Sequence, residues 1–437
     1  MTFRTWLLGL TATVISSFLG FSQDNPNSVL SNGIKYKFSD NSSLSVHFGT
    51  QVWTRYTHLN PGTFDVDGEP KDYLFDIGLR RTRFSMYAGF LDDRFIVYTQ
   101  LGMNGQTFSS NSKPPIFFHD IWSAFKLFDG KLYTGFGLHG WAGVSRLGSV
   151  SYSKNIMLDH PGFALPTLGK TDQAGRQVGI FFKGNLAKLN YHFSIDKPFL
   201  KNESQKTGLY ESHYFPNSNT GYKGYVFYSF LDEEKFKSSY LSFGYLDKKK
   251  IMNLGAGFNY HPQTLASLNE TGDTIHHDEK LFGLDLFFDY PMGYYSALTF
   301  YSGIFIYNFG PNHLRTYGSM NPLPRGELAQ GGGNTHFNVG TGNIVYTMAG
   351  YILPLQLQPF SGKFQPMAAI HYKNFEALKE PSVQLDAGLN YYIAGHNAKL
   401  TLQFSTWAVY EGSPGYRSDA VVSGMRQSLT FQVQMYL

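Results

Sequence analysis

The chain ends on a two-residue period. Leu429, Phe431, Val433, Met435 and Leu437 alternate with Thr430, Gln432, Gln434 and Tyr436, so an extended strand here has one apolar face and one polar or amphipathic face. From Leu44 the same alternation sets Leu44, Val46, Phe48, Thr50, Val52 and Thr54 against Ser45, His47, Gly49, Gln51, Trp53 and Arg55. Such segments recur along the chain at a length of roughly ten residues, the signature of a transmembrane β-barrel. The sheet must also close on itself, because lipid satisfies no hydrogen bond at an open strand edge.

Beyond the first segment, alternation is found at about 75–90, 94–106, 117–128, 131–142, 175–184, 187–198, 222–231, 239–247, 250–261, 281–290, 294–308, 341–353, 364–374, 382–393, 399–410 and 424–437. That makes 17 segments, and a barrel with both ends in one compartment needs an even number. The surplus is placed in 231–281, where the turn at 247–250 and the link at 262–280 break parity. The expectation is an all-β, transmembrane antiparallel β-barrel of 16 strands over 43–437, with 18 as the alternative and about 26 residues per strand and connection. Short turns such as 91–93, 129–130 and 184–185 alternate with long links at 59–74, 143–174, 199–221, 309–340 and 411–423, as in barrels with short periplasmic turns and long outer loops.

Export is required by this reading. Arg4, the apolar run from Trp6 to Phe21 and the small-x-small triplet Gly20-Phe21-Ser22 mark 1–22 as a cleaved signal peptide, too short for the roughly 20 apolar residues of a spanning helix. Residues 23–42 then form an amino-terminal periplasmic segment with a short strand at 34–38, and the expected location is the bacterial outer membrane, in contact with its lipid and lipopolysaccharide. The 17% aromatic content suits girdles at both interfaces. The absence of cysteine excludes disulfides, thiolate metal sites and a cysteine nucleophile.

A barrel of this size encloses water, so function is sought in the lumen and in any loop folded into it. The link 143–174 is the candidate constriction loop, carrying Arg146, Lys154, Asp159, His160, Lys170 and Asp172. On the faces opposite the apolar ones lie Arg55, Arg81, Arg83, Lys126, Lys183, Lys188, Lys223, Lys373, Lys399 and Arg426, against Asp120, Asp196, Asp285, Asp289 and Asp386. The pore-lining and constriction set is taken as Arg55, Arg81, Arg83, Lys126, Arg146, Lys154, Asp159, His160 and Lys183. Its positive excess predicts a weak anion preference, since fixed charges in a narrow pore lie within a Debye length, roughly 8 Å, of a passing ion. Arg80-Arg81-Thr82-Arg83 is the sharpest cluster, and within it Arg81 and Arg83, which share the face of Ser85 and Tyr87 opposite Phe84, Met86, Ala88 and Phe90, are the expected lumen residues.

Other chemistry is not expected. Adjacent histidines in His276-His277-Asp278 point to opposite sides of an extended chain, and no third metal ligand accompanies them. The glycine run 331–333 lacks the helix of a phosphate-cradling loop, no Gly-x-Ser-x-Gly elbow occurs, and the net charge of +4 is scattered. Neither an enzyme, a cofactor, a metal nor a nucleic-acid partner is anticipated. The alternatives to a diffusion channel are a substrate-specific channel for an oligosaccharide or hydrophobic ligand, with Trp53, Tyr87, Tyr225 and Phe227 as a stacking track, and a non-conducting barrel serving a secretion or adhesion assembly.

Three stretches carry a resemblance: RRTRFSMYAGFLDDRFIVYTQLGMN at 80–104, GLHGWAGVSRLGSVSYSKNIMLDHPGF at 137–163 and GKTDQAGRQVGIFFKGNLAKLNY at 169–191. They resemble the phosphate-selective porin O and P family of bacterial outer-membrane porins. The resemblance implies a 16-stranded, usually trimeric porin with a constricting loop after the fifth strand, at 143–174, and passage of small hydrophilic or anionic solutes, phosphate among them. The lysine and arginine clusters behind phosphate selectivity in that family are thin here, with Arg146, Lys154 and Lys170 balanced by Asp159 and Asp172.

Overall fold

Alternating segments become barrel strands because each can turn its apolar positions to lipid only if both of its edges find a partner. A computed structural model describes residues 33–107, 116–140, 143–199, 208–215, 217–234, 240–355 and 362–437. The expected signal peptide, and the amino-terminal segment up to residue 32, lie outside the described residues. The strands are β1 (Ile34–Ser39), β2 (Ser42–His58), β3 (Tyr73–Phe90), β4 (Phe95–Thr107), β5 (Phe117–Leu127), β6 (Leu132–Gly140), β7 (Arg176–Leu186), β8 (Leu189–Lys197), β9 (His213–Tyr214) and β10 (Gly221–Ser229). They continue with β11 (Ile251–Leu268), β12 (Thr274–Gly293), β13 (Ser296–Asn308), β14 (Leu314–Tyr317), β15 (His336–Gly340), β16 (Gly342–Ile352), β17 (Lys363–Phe375), β18 (Ser382–Ala394), β19 (Ala398–Glu411) and β20 (Val421–Tyr436).

Sixteen of these form a closed antiparallel ring, each paired with its neighbour in chain order. The ring shuts where β20 meets β2, from Gly49 opposite Tyr436 to Thr57 opposite Ser428. Strands β1 and β9 add to the edges of β2 and β11, which brings the sheet to 18 strands, while β14 and β15 form a separate hairpin within one loop. Along β20, Leu429, Phe431, Val433 and Met435 are exposed on the outside, and Ser428, Thr430, Gln432 and Gln434 are buried inside. Aromatic pairs mark both rims, Phe90–Phe95 and Phe95–Phe125 near the short turns and Tyr56–Tyr73 near the long loops, at 5.3–6.0 Å between ring centres.

The surplus segment lies in 231–281, as expected, and the expected link there is corrected. The segment 239–247 is no wall strand, and 262–280 is no link, because β11 and β12 run on as a hairpin past the rim. Residues 230–250 instead connect β10 to β11 at the short-turn rim, and the described part of that connection turns inward. The link 143–174 also folds inward after β6, the fifth strand of the ring.

Candidate functional site: the lumen constriction

Backbone entering a barrel needs room at the wall. On β11 and β12, Gly257 and Gly283 lie opposite each other, and a β-carbon on either would come within 2.7 Å and 2.3 Å of the Val144 carbonyl oxygen. This glycine pair admits the constriction loop. Inside, Val144, Leu147, Val150, Ile156 and Phe163 of the loop join Tyr225, Phe227, Phe287, Tyr301 and Phe305 of the wall in one buried cluster. Wall side chains then take up the loop's backbone groups. Asn390 donates to the Ile156 carbonyl (2.8 Å), Lys399 to the Asn155 carbonyl (2.7 Å) and Tyr307 to the Phe163 carbonyl (2.9 Å), while the Leu158 N–H donates to Gln403 (3.0 Å).

The segment from the opposite rim meets this loop in the middle. Leu241 bridges to Val150 in parallel, donating to the Ser149 carbonyl (2.8 Å) and accepting from Ser151 (3.1 Å). Beside that bridge Arg146, with no solvent exposure, forms a two-pronged ion pair with Glu234 at 2.6 and 2.8 Å. Burial lowers the Arg146 guanidinium, and the paired Glu234 carboxylate more than offsets this, raising it above its ordinary value. A third segment comes from the loop around β14 and β15, where Arg315 donates to the Pro166 and Leu168 carbonyls at 2.7 and 2.9 Å.

All this converges on Asp159. A β-bulge in β3 shifts the register between Leu79 and Arg81, so that Asp76, Gly78 and Arg80 face inward before it and Arg81, Arg83 and Ser85 after it. Arg80 and Arg81 therefore point the same way. Arg80 donates from Nε and Nη2 to one Asp159 oxygen (3.0 and 2.6 Å), Arg81 to the other, and the Ser319 hydroxyl adds a third partner at 2.8 Å. Burial alone would raise the Asp159 carboxyl, but the two guanidiniums reverse this and hold it well below the usual carboxylate range. Arg81 lies 3.7 Å from the centre of the Tyr152 ring and Arg80 5.2 Å from that of Trp53.

The other expected site residues are dispersed. Arg55 donates to the Ser319 and Met320 carbonyls (both 2.7 Å) and lies 3.9 Å from Asp76. Arg83 bonds to the Met103 carbonyl at 2.8 Å and to Asn104, with no carboxylate partner among the described residues. Arg146, expected to face the pore, is instead sealed within the inserted segments. Lys154 is exposed toward the cavity at the short-turn end, and His160 lines a pocket at the loop end. Lys183 is buried with its ammonium 5.0 Å from the Trp122 ring, and Lys126 sits half-buried beside the turn at Gly130. Arg80, Ser319, Glu234 and Tyr152 escaped the sequence reading. Arg80 had a legible signal, because an arginine turned to lipid near the bilayer midplane costs about 2–4 kcal/mol and so argues for a bulge.

The constriction separates two spaces. Toward the short turns lies a cavity of about 1030 Å³, lined among others by Lys35, Arg81, Arg83, Lys154, Arg176 and Lys249, with Asp93, Glu233 and Glu234 as its acidic residues. Toward the long loops lies a pocket of about 100 Å³ between Trp53, Trp407, His160, His371 and Asp386. The four aromatic residues expected to form a track do not. Tyr225 and Phe227 belong to the buried cluster, and Trp53 and Tyr87 stand in different spaces. Among the described residues no group of three His, Asp or Glu side chains is arranged to hold a metal.

No family model and no curated protein matches the chain. Solved structures do. Salmonella typhi OmpF, in complex with daunomycin, superposes with a TM-score of 0.52 at 8% identity, over 92% of this chain and 100% of that one. The outer-membrane channel DcaP of Acinetobacter baumannii gives 0.48 at 10% identity, over 92% and 99%. OprB of Pseudomonas putida, in its high-pH structure, gives 0.47 at 8%, over 91% and 94%. The similarity to OmpF is one of fold: a 16-strand barrel, over 92% of this chain.

Proposed function

We propose that the protein is an outer-membrane diffusion channel for small hydrophilic solutes, with a weak anion preference. The observation that carries this reading is a closed ring with an apolar outside and a solvent-sized cavity inside, whose basic lining outnumbers its acidic one. Fixed charge at that separation biases ion passage without any specific site. Arg83 and Lys154, which have no carboxylate partner among the described residues, supply the bias; Arg81 shares Asp159 with Arg80, and Arg176 is paired with Asp120. Phosphate is one candidate permeant, in keeping with the family resemblance of 80–104. A homotrimer, contact with lipopolysaccharide, and export by a cleaved leader belong to the same reading.

A second reading draws on the three inserted segments. They fill much of the lumen with a hydrophobic core, which favours a barrel that displays loops and conducts little. Planar-bilayer recording of the refolded protein in a salt gradient separates the two. The channel reading expects discrete openings and an anion-directed reversal potential. Folded, heat-modifiable protein that conducts nothing would overturn it in favour of the second.

A further inference from the structure

The pocket on the loop side of the constriction is built differently from the basic cavity below it. Its walls include two tryptophans fixed by their own N–H groups, Trp53 donating to Gln432 (2.8 Å) and Trp407 to Asn60 (3.0 Å), with His336 stacked on Trp407 at 5.8 Å. At about 100 Å³ it well exceeds the roughly 10–15 Å³ that one water needs.

At least two acceptors in its lining, on His371 and Asn334, have no partner among the described residues. His371 donates from Nε2 to Asp386 (2.8 Å), which leaves the lone pair of Nδ1 free, and Asn334 donates from Nδ2 to the Ser319 carbonyl (2.9 Å), which leaves Oδ1 free. Both residues are more than nine-tenths buried. A buried acceptor without a donor costs about 1–3 kcal/mol, so the pocket favours a guest that brings O–H groups.

Charge rules against an anion here. The carboxylates in the lining are Asp159, already matched by Arg80 and Arg81, and Asp386, which meets His371, the Ser405 hydroxyl and the amides of Gln384 and Gln403. Arg55 is the one arginine in the lining, and its Nη atoms are held by two carbonyls and Asp76. We propose that this pocket binds a neutral, hydroxyl-rich ligand of the sugar or polyol class, its ring against the tryptophans and its hydroxyls donating to His371 and Asn334. The inference deepens the diffusion-channel reading by giving one site in the lumen a solute class.

The test uses the full mature chain, refolded, with glucose, maltotriose and inorganic phosphate as probes. Intrinsic tryptophan fluorescence is titrated in detergent, and current is recorded separately in planar bilayers. Expected are a saturable fluorescence change and brief current interruptions with the saccharides and neither with phosphate. Trp407→Phe and Asn334→Ser, each checked for heat-modifiable folding, shift half-saturation upward by about tenfold. A wild-type protein whose fluorescence ignores both saccharides, or answers phosphate equally, overturns the proposal. Saccharide binding without any conductance would overturn the channel reading and leave the pocket standing.

Discussion

Asp159 ties its own loop to two other parts of the chain, β3 and the loop at Ser319, and its charge state decides whether they stay together. Because its carboxyl is depressed below the ordinary value of about 3.9, the pairing with Arg80 and Arg81 is fully present above that pH and lost only as pH falls through the depressed value. Single-channel conductance is therefore expected to stay constant between pH 7 and about pH 5. Asp159→Asn removes the countercharge for two arginines; reversal potentials are expected to move toward stronger anion selectivity, and an unchanged value would detach this residue from the conduction path. Arg146 makes a different claim, since it is buried with its partner. Glu234→Gln leaves an uncompensated buried guanidinium, and a loss of about 3–5 kcal/mol in unfolding free energy is expected by urea titration in detergent micelles. Alternation alone placed Arg81 and Arg83 inward. A single unbroken period could not place Arg80, because a bulge reverses the phase of alternation, from apolar Phe75, Ile77 and Leu79 to apolar Phe84, Met86 and Ala88, and leaves Arg80 inward beside Arg81.

Among the elements, the inserted segments were the least legible. In 239–247 the period is genuine, with Leu241, Phe243 and Tyr245 alternating with Ser242 and Gly244, but among the described residues only Leu241 forms a bridge before the chain turns at Leu246 and Asp247. It pairs with the constriction loop at Val150 instead of with the wall. Periodicity reports that a strand has two unlike faces; it does not report which edge the strand will join. The glycines opposite Val144 give a direct test of the loop's seat. Gly257→Val or Gly283→Val is expected to push 143–174 out of register and raise single-channel conductance by about twofold or more, as backbone that only glycine admits is displaced. Since the chain has no cysteine, the double variant Val150→Cys, Leu241→Cys contains the only thiols. It is expected to oxidise to a crosslink, seen as a gel shift reversed by reductant, with wild-type conductance in both states; failure to crosslink would mean that the two segments do not dock as described.

At the scale of the molecule, closure is the term on which everything else depends. Truncation after Gly424 removes most of β20, exposes the edges of β2 and β19, and is expected to abolish the heat-modifiable folded band on gels. The fold class, the strand number once parity is imposed, and the faces of most strands were legible in the sequence. Each follows from a rule that is local along the chain: a side chain in a strand alternates, and a strand in lipid must be dry on one side. The latch on Asp159, the burial of Arg146 and the chemistry of the two spaces were decided by tertiary structure alone. They depend on residues far apart in sequence, such as Arg81, Asp159 and Ser319, meeting in the lumen, and on the insertion of a connection from the opposite rim. No period along the chain encodes which of its segments will fill a cavity that exists only once the ring has closed.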